Sequence, residues 1–219
     1  SHDSMSSVAL QLFTASQNYT LLAIPFFILA SAFMSTGGVA RRIIRFAISS
    51  LGHLRGGMAI ASVFACMLFA ALSGSSPATV VAIGTIAIAG MRAVGYTKDF
   101  AAGVIANAGT LGILIPPSIM LVIMADQLAL SVGALFIDNV FPGLLLGVLY
   151  IVYILGYGLI KPNAMPLQED IKPVTLDVWI RVLKSTLPTL ALILLVLGSI
   201  FAGIATPTEA SGVGAFAAM

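Results

Sequence analysis

Apolar residues dominate this chain in long runs separated by short polar segments. An α-helix rises 1.5 Å per residue, so about 20 apolar residues cross the roughly 30 Å hydrocarbon core of a membrane. The runs at residues 139–160 and 187–205 fit this length as single membrane-spanning helices, and the run at 19–36 is adequate. A further run begins near Thr208, and three others occur at 57–72, 78–91 and 100–125.

Those three runs depart from the pattern of a simple span. The runs at 57–72 and 78–91 are each too short to cross comfortably, and Gly74-Ser75-Ser76-Pro77 joins them. The run at 100–125 is longer than one span needs, and it carries Pro116 and Pro117 near its middle. Two adjacent prolines cannot lie within an unbroken helix. We therefore predict a re-entrant helical hairpin over 57–91 and a broken transmembrane helix over 99–126.

The positive charges indicate which connections share one side of the membrane. All ten Lys and Arg residues lie in three segments: Arg41, Arg42, Arg45 and Arg55, then Arg92 and Lys98, then Lys161, Lys172, Arg181 and Lys184. Cytoplasmic loops carry the excess of Lys and Arg, so we expect these segments inside and residues 1–18, 126–138 and 205–208 outside. Segment 57–91 must then enter the membrane and return to the same side. Its short helices favour the re-entrant form over two spans.

Polar connections divide the chain further. Residues 38–55 alternate apolar and basic positions at helical spacing, which indicates a helix on the inner membrane surface or a plain connector. Prolines at the start of 161–184 predict a cytoplasmic linker between two halves. Residues 1–18 are polar and lack the features of a signal peptide. Because the chain starts with Ser-His-Asp and stops within an apolar stretch, we expect it to be a fragment.

Composition narrows the class of protein. The 219 residues are 59% hydrophobic and only 8% charged, far below the charged share of a soluble domain. A formal net charge of +2 gives no reason to expect nucleic-acid binding. The single cysteine, Cys66, excludes an internal disulfide or a multi-cysteine metal site. No nucleophile and base pair or metal-spaced carboxylate set occurs, so we expect an all-α integral membrane protein that is not an enzyme.

Candidate chemistry gathers in the two irregular segments. At the hairpin tip, Ser76 and Pro77 fit the N-cap and first residue of a helix, with Ser75 before them and Thr79 in the first turn. In the broken helix, the stretch 107–118 supplies an amide, hydroxyls and carbonyls that the prolines leave without helical donors. Discontinuous helices aim positive dipole ends at anions, and their unwound carbonyls coordinate sodium. The alternative is that these small and hydroxyl residues only pack helices.

A separate motif marks the start of a helix near the end of the chain. Thr206, Pro207 and Glu209 match a capping box, in which an N-cap hydroxyl and a glutamate three residues later bond each other's backbone amides. We predict a helix start there and no binding site.

Four motifs in this order resemble the large membrane subunit of tripartite ATP-independent periplasmic (TRAP) transporters. They are LAIPFFILA at 22–30, SGSSPAT at 73–79, GTLGILIPPS at 109–118 and ATPTEA at 205–210. The resemblance covers essentially the whole chain, and four separate motifs make it specific.

The resemblance implies a sodium-coupled importer of organic acids, of C4-dicarboxylate or sialic acid type, in the bacterial inner membrane. Its expected partners are a small TRAP membrane subunit and a periplasmic substrate-binding protein. It also implies an inverted-repeat fold of the elevator type, similar to the ion transporter superfamily. Residues 1–18 would then be periplasmic, 19–160 the first repeat and 185–219 the start of the second. The helix before residue 19 and the second hairpin and broken helix would lie outside this chain.

The resemblance also implies candidate ligands at the hairpin tip and the broken helix. Sodium, as the coupling ion and with no other cofactor or metal, would be held by Ser76, Asn107, Gly109 and Gly112. The carboxylate substrate would contact Ser75, Thr79, Thr110, Pro117 and Ser118.

Two other functions remain open at this point. One is a sodium-coupled carboxylate permease that uses no binding protein. The other is a membrane scaffold subunit without transport activity, in which the polar motifs only pack helices. A requirement for a soluble partner separates the first from the TRAP interpretation, and reactivity of the hairpin tip separates the second.

Overall fold

The computed structural model describes residues 5–10, 19–36, 38–52, 54, 56–161, 165 and 176–218. Within these ranges the regular structure is entirely helical. A 3-10 turn, Tyr19–Leu22, precedes the helices that we number in chain order. They are α1 (Ala23–Thr36), α2 (Val39–Leu51), α3 (Gly57–Ser73), α4 (Ser76–Ala93), α5 (Lys98–Gly109), α6 (Leu111–Leu114), α7 (Ile119–Gln127), α8 (Val132–Ile160), α9 (Leu176–Phe201) and α10 (Pro207–Ala218).

Helices α3 and α4 form an antiparallel hairpin. Gly74 adopts a left-handed conformation with φ of 58°, which ends α3 and turns the chain at the tip. At the opposite end, the Met58 side chain reaches Gly90, so the start of α3 lies beside the end of α4. Helix α3 is buried along most of its length, as expected for a helix with small or apolar residues on every face.

The predicted broken helix is interrupted where its prolines lie. Helices α5 and α6 together are bent by 43° relative to α7. The interruption covers residues 115–118, and the peptide bond between Pro116 and Pro117 is cis. Helix α6 ends at Leu114 because neither proline can donate the amide hydrogen bond that would continue it.

Several helix boundaries differ from those predicted. Helix α8 begins at Val132 and not at 139, because Ser131 caps it by accepting from the Ala134 amide at 3.4 Å. Residues 132–138 of the predicted outer segment therefore lie inside this helix, and Asn139 bonds the Leu135 carbonyl at 2.9 Å. Helix α2 ends at Leu51, short of the predicted 55. Helix α9 covers Leu176–Phe201, so it begins within the predicted linker and ends before 205.

By length and composition, two described helices could cross a membrane, Ser76–Ala93 and Val132–Ile160. The number rises to four if each of two bent pairs is one span, Thr20–Ser35 with Val39–Leu51 and Lys98–Leu114 with Ile119–Gln127. The second helix of the hairpin is longer than its apolar run of 78–91 suggested. Its length alone therefore no longer distinguishes a re-entrant hairpin from two spans.

Helix α2 buries its apolar face in the protein. Ala40, Ile43, Ile44 and Ala47 are buried and belong to a core shared with α3, α4 and α5. A second part of the core joins α1, α7, α9 and the starts of α8 and α10.

The helix boundary at residue 206 matches its prediction. Glu209 accepts from the Thr206 amide at 2.8 Å, and the Glu209 amide donates to the Thr206 hydroxyl at 3.3 Å. The capping box is confirmed.

Candidate functional site: the joint between the hairpin tip and the broken helix

The hairpin tip is a tight turn with Ser75, and not Ser76, as the N-cap of α4. Ser75 is extended, at φ of −137° and ψ of 122°, and Ser76 is already helical. The shift follows from Gly74, whose left-handed conformation places the single extended residue directly after it. The Ser75 carbonyl accepts the first helical hydrogen bond, from the Thr79 amide at 3.1 Å.

Two buried hydroxyls tie the tip together. The Ser73 and Thr79 hydroxyls are 3.0 Å apart, and the Thr79 hydroxyl donates to the Ser75 carbonyl at 2.9 Å. Both side chains are buried. Thr79, predicted to contact substrate, therefore lies inside the tip and fixes its shape. Ser73 was not among the predicted residues, although it begins the SGSSPAT motif and directly precedes Gly74.

The tip packs directly on the interruption of the broken helix through backbone atoms. The Ile119 amide donates to the Gly74 carbonyl at 3.1 Å. A Cβ added to Gly74 would lie 2.6 Å from the Pro117 carbonyl oxygen, and one added to Gly112 would lie 2.8 Å from the Ser75 carbonyl oxygen. Such distances leave no room for any side chain larger than hydrogen. We call this contact between residues 73–76 and 112–119 the joint.

Small residues also bring α4 and α5 together along their length. Gly109 faces the Val80 side chain so closely that a Cβ there would collide with it. One turn of α5 earlier, a Cβ at Gly84 would lie 2.9 Å from Cγ2 of Ile105. Gly109 and Gly112, predicted as sodium ligands, thus lie on the face of α5 and α6 that meets the hairpin. The hairpin and the first part of the broken helix form one packed unit.

Ser118 is a buried polar side chain at the joint that lacks a hydrogen-bond partner among the described residues. It is 0% exposed, and its hydroxyl has no hydrogen-bond partner among the described residues. It precedes α7 as the N-cap residue but makes no capping hydrogen bond. A buried polar group left unpaired costs about 1–3 kcal/mol. The joint therefore contains a hydroxyl that an additional ligand could satisfy.

Asn107 and Thr110 lie on the other face of the broken helix. Both are exposed. The Asn107 side chain donates to the Gly103 carbonyl at 2.8 Å, and the Thr110 hydroxyl donates to the Asn107 carbonyl at 2.7 Å. The Thr110 hydroxyl is also 3.2 Å from the Tyr150 hydroxyl of α8. The structure therefore separates the predicted residues into two groups, one at the joint and one facing α8.

A hollow of about 510 Å³ lies beside Asn107. Its lining includes Asp99, Gly103, Tyr150 and Tyr153. Sequence reasoning gave Tyr150 no role, although tyrosines at 150, 153 and 157 follow one helical stripe. Nearby, Tyr96, Phe100, Tyr157 and Tyr153 form a series of stacked rings. Burial raises the pKa of Tyr96 to about 12.

The groups at the joint are neutral oxygens and amides. Within the described part of the chain, no three His, Cys, Asp or Glu residues lie close enough to share a metal ion. The hydroxyls of Ser75, Ser76 and Ser118 and the carbonyls around them are oxygen donors of the kind found in monovalent cation sites. The N-termini of α4 and α7 also meet here, and each carries a partial positive charge.

The sequence model of one family matches residues 2–219, and its description is "Tripartite ATP-independent periplasmic transporter, DctM component". The chain belongs to this family. It is 56% identical over 216 residues to the C4-dicarboxylate TRAP transporter large permease protein DctM of Pseudomonas aeruginosa. That alignment covers 98% of this chain and 49% of the relative. The family assignment confirms the resemblance carried by the four motifs.

Other relatives are named for the same substrate or for a different one. The C4-dicarboxylate large permease DctM of Vibrio cholerae is 57% identical, over 97% of this chain and 46% of its own length. The 2,3-diketo-L-gulonate large permease YiaN of Escherichia coli is 33% identical, over 97% of this chain and 49% of its own length. The chain thus spans about half the length of these curated relatives.

Proposed function

We propose that the chain is part of the large permease of a sodium-coupled TRAP transporter that imports a C4-dicarboxylate. Relatives that are 56% and 57% identical carry C4-dicarboxylate in their names. Those names favour this acid class over the sialic acid that the resemblance also allowed. The site most able to serve such an importer is the joint.

The observation that carries the proposal is the meeting of two helix N-termini around an unpaired buried hydroxyl. The Ile119 amide bonds the Gly74 carbonyl at 3.1 Å, which brings the starts of α4 and α7 to one point. Ser118 at that point lacks a partner among the described residues. Helix N-termini stabilise anions, so a substrate carboxylate would gain both the dipoles and the Ser118 hydroxyl.

Sodium would offset the negative charge of the substrate. In this proposal Ser76 and the Gly112 carbonyl contribute oxygen ligands from the joint, and the Gly109 carbonyl contributes from the adjoining end of α5. Asn107, also predicted as a sodium ligand, lies on the opposite face of α5 and is left out of this ligand set. Ser75, Pro117 and Ser118 would form the wall next to the substrate, and Thr79 would act through the shape of the tip. Thr110 faces Tyr150 of α8 and does not belong to this wall.

The position of the joint supports a re-entrant hairpin. Lys98 begins the broken helix on the expected cytoplasmic side, and Gln127 ends it toward the expected outer side. The hairpin tip touches the interruption between these two ends. If α5 to α7 cross the membrane, the tip lies partway through it, and α3 and α4 enter and leave by the same side.

The remaining parts of the proposal concern the whole transporter. The complete large permease would act in the bacterial inner membrane with a small membrane subunit and a periplasmic binding protein that delivers the acid. The hairpin and the first part of the broken helix, α5 and α6, would move together past a scaffold, in an elevator-like displacement. The close packing of α4 on α5 supports this common movement.

The test is uptake into proteoliposomes that contain the complete large and small subunits. A panel of radiolabelled carboxylates is offered with and without a sodium gradient and with and without the binding protein. The proposal predicts accumulation of a C4-dicarboxylate only when both are present. Uptake with sodium alone would support a permease without a binding protein, and no uptake of any acid would support a scaffold subunit.

A further inference from the structure

Three arginines project from one face of α2. Arg41, Arg42 and Arg45 are all exposed. The sequence contains no Asp or Glu between Asp3 and Asp99, so no neighbour along the chain balances this charge. Within the described part of the chain, none of the three arginines forms an ion pair. Among the described residues, the face therefore presents three positive charges without an ion-pair partner.

The opposite face of α2 holds the helix in place. Ala40, Ile43, Ile44 and Ala47 are buried against the core. A free amphipathic helix would bury such a face in lipid, but here protein already covers it. The arginines are consequently displayed by a helix fixed to α3, where an anionic partner can reach them.

A hollow of about 400 Å³ lies beside Arg41. Its lining combines Arg41 and Ser35 with Val81, Thr85 and Ile86 of α4. Val81 is 65% exposed, so the α4 wall of the hollow is an open apolar surface. A ligand that has both an anionic group and an apolar chain could place the anionic group against Arg41 and the chain along α4. An acidic protein segment or a nucleic acid would use the charges but leave the apolar wall uncovered.

We propose that this surface binds an anionic phospholipid of the inner leaflet. The phosphate lies against the guanidinium groups of Arg41, Arg42 and Arg45, which match phosphate oxygens in geometry. One acyl chain lies along Val81 and Ile86. Juxtamembrane basic clusters attract anionic lipids in general, and the hollow adds a place for the chain. The inference requires only that the protein is embedded in a membrane, not that it carries sodium or dicarboxylate.

The test compares the thermal unfolding midpoint of the complete two-subunit complex in two kinds of vesicle, phosphatidylcholine alone and phosphatidylcholine with phosphatidylglycerol. We expect phosphatidylglycerol to raise the midpoint of the wild type by several degrees. Arg41→Gln should lose at least half of that rise, and Arg41→Lys, which keeps the charge, should retain more than Arg41→Gln. Arg92→Gln is the matched control, because Arg92 is exposed on α4 outside the hollow.

Four results would overturn the proposal. They are equal midpoints in the two vesicles, a full response in Arg41→Gln, an equal loss in Arg92→Gln, and the same rise produced by inorganic phosphate in phosphatidylcholine vesicles. If Arg41→Gln does not fold, Arg45→Gln replaces it with the same expected loss. Because the readout is unfolding, the outcome is independent of whether the complex transports the proposed substrate.

Discussion

At the scale of single residues, the glycines at the joint permit close backbone contact, whereas its hydroxyl residues differ in whether they have a hydrogen-bond partner. Gly74 and Gly112 allow two backbones to approach within distances that exclude a side chain. Ser73 and Thr79 satisfy each other inside the tip. Ser118 has no such partner among the described residues. The glycines therefore determine the shape of the joint, and Ser118 is its best candidate for direct contact with a ligand.

Gly112→Ala should damage transport severely. The new methyl group would lie 2.8 Å from the Ser75 carbonyl oxygen, and both sides of the contact are backbone, so the tip must move. Overpacking of this kind costs about 1–3 kcal/mol of stability. Gly156→Ala in α8 is the control, since a Cβ at Gly156 meets nothing within 4 Å. We expect uptake to fall more than about tenfold in Gly112→Ala only. Equal uptake by the two variants would contradict the close contact.

Ser118→Ala should leave stability unchanged or slightly raised, because its hydroxyl has no protein partner to lose. If that hydroxyl bonds the substrate carboxylate, the half-saturating substrate concentration should rise about tenfold, as expected for a hydrogen bond to a charged group. Ser62→Ala serves as the comparison, since Ser62 bonds only the Met58 carbonyl within α3. A half-saturating concentration that is the same in Ser118→Ala and wild type would remove Ser118 from the substrate site.

At the scale of elements, the sequence predicted where helices are interrupted better than it predicted helix boundaries or the helix faces that pack together. The tip follows from Gly74 and the interruption of the broken helix from Pro116 and Pro117, and each effect is local to the backbone. Helical periodicity places Asn107 away from Gly109 and Gly112, but which of these faces meets the hairpin depends on packing between distant segments and was not predictable. For the same reason the Thr110 contact with Tyr150, forty residues away, left no sequence signal.

A cross-link between α4 and α5 tests whether they move as one unit. Gly84 and Ile105 lie in contact away from the proposed ligands, so Gly84→Cys with Ile105→Cys should place the two sulfurs within bonding reach. The background carries Cys66→Ala, which removes the buried native thiol. We expect the oxidised variant to transport at close to the rate of its reduced form. If oxidation abolishes uptake and a reductant restores it, the two helices move relative to each other.

At the scale of the whole molecule, the joint lies where the two parts of the core meet. Helices α5 and α6 belong to the part built around α3 and α4, and α7 belongs to the part shared with α1 and α9. The interruption at 115–118 thus lies between the two hydrophobic clusters. Such an arrangement allows polar backbone at membrane depth, because irregular segments there are tolerated only where protein or a water-filled cavity surrounds them.

The most direct test of the central claim is the reactivity of a cysteine at the hairpin tip. Ser76→Cys is introduced into a cysteine-free version of the complete permease, and labelling by a membrane-impermeant maleimide is timed with and without sodium and dicarboxylate. Ala89→Cys, at an exposed position on the same helix, is the control. We expect Ser76→Cys to react and to be slowed by sodium and substrate, with Ala89→Cys unaffected. A tip that is unreactive, or that reacts at one rate under all conditions, would contradict a binding site at the joint.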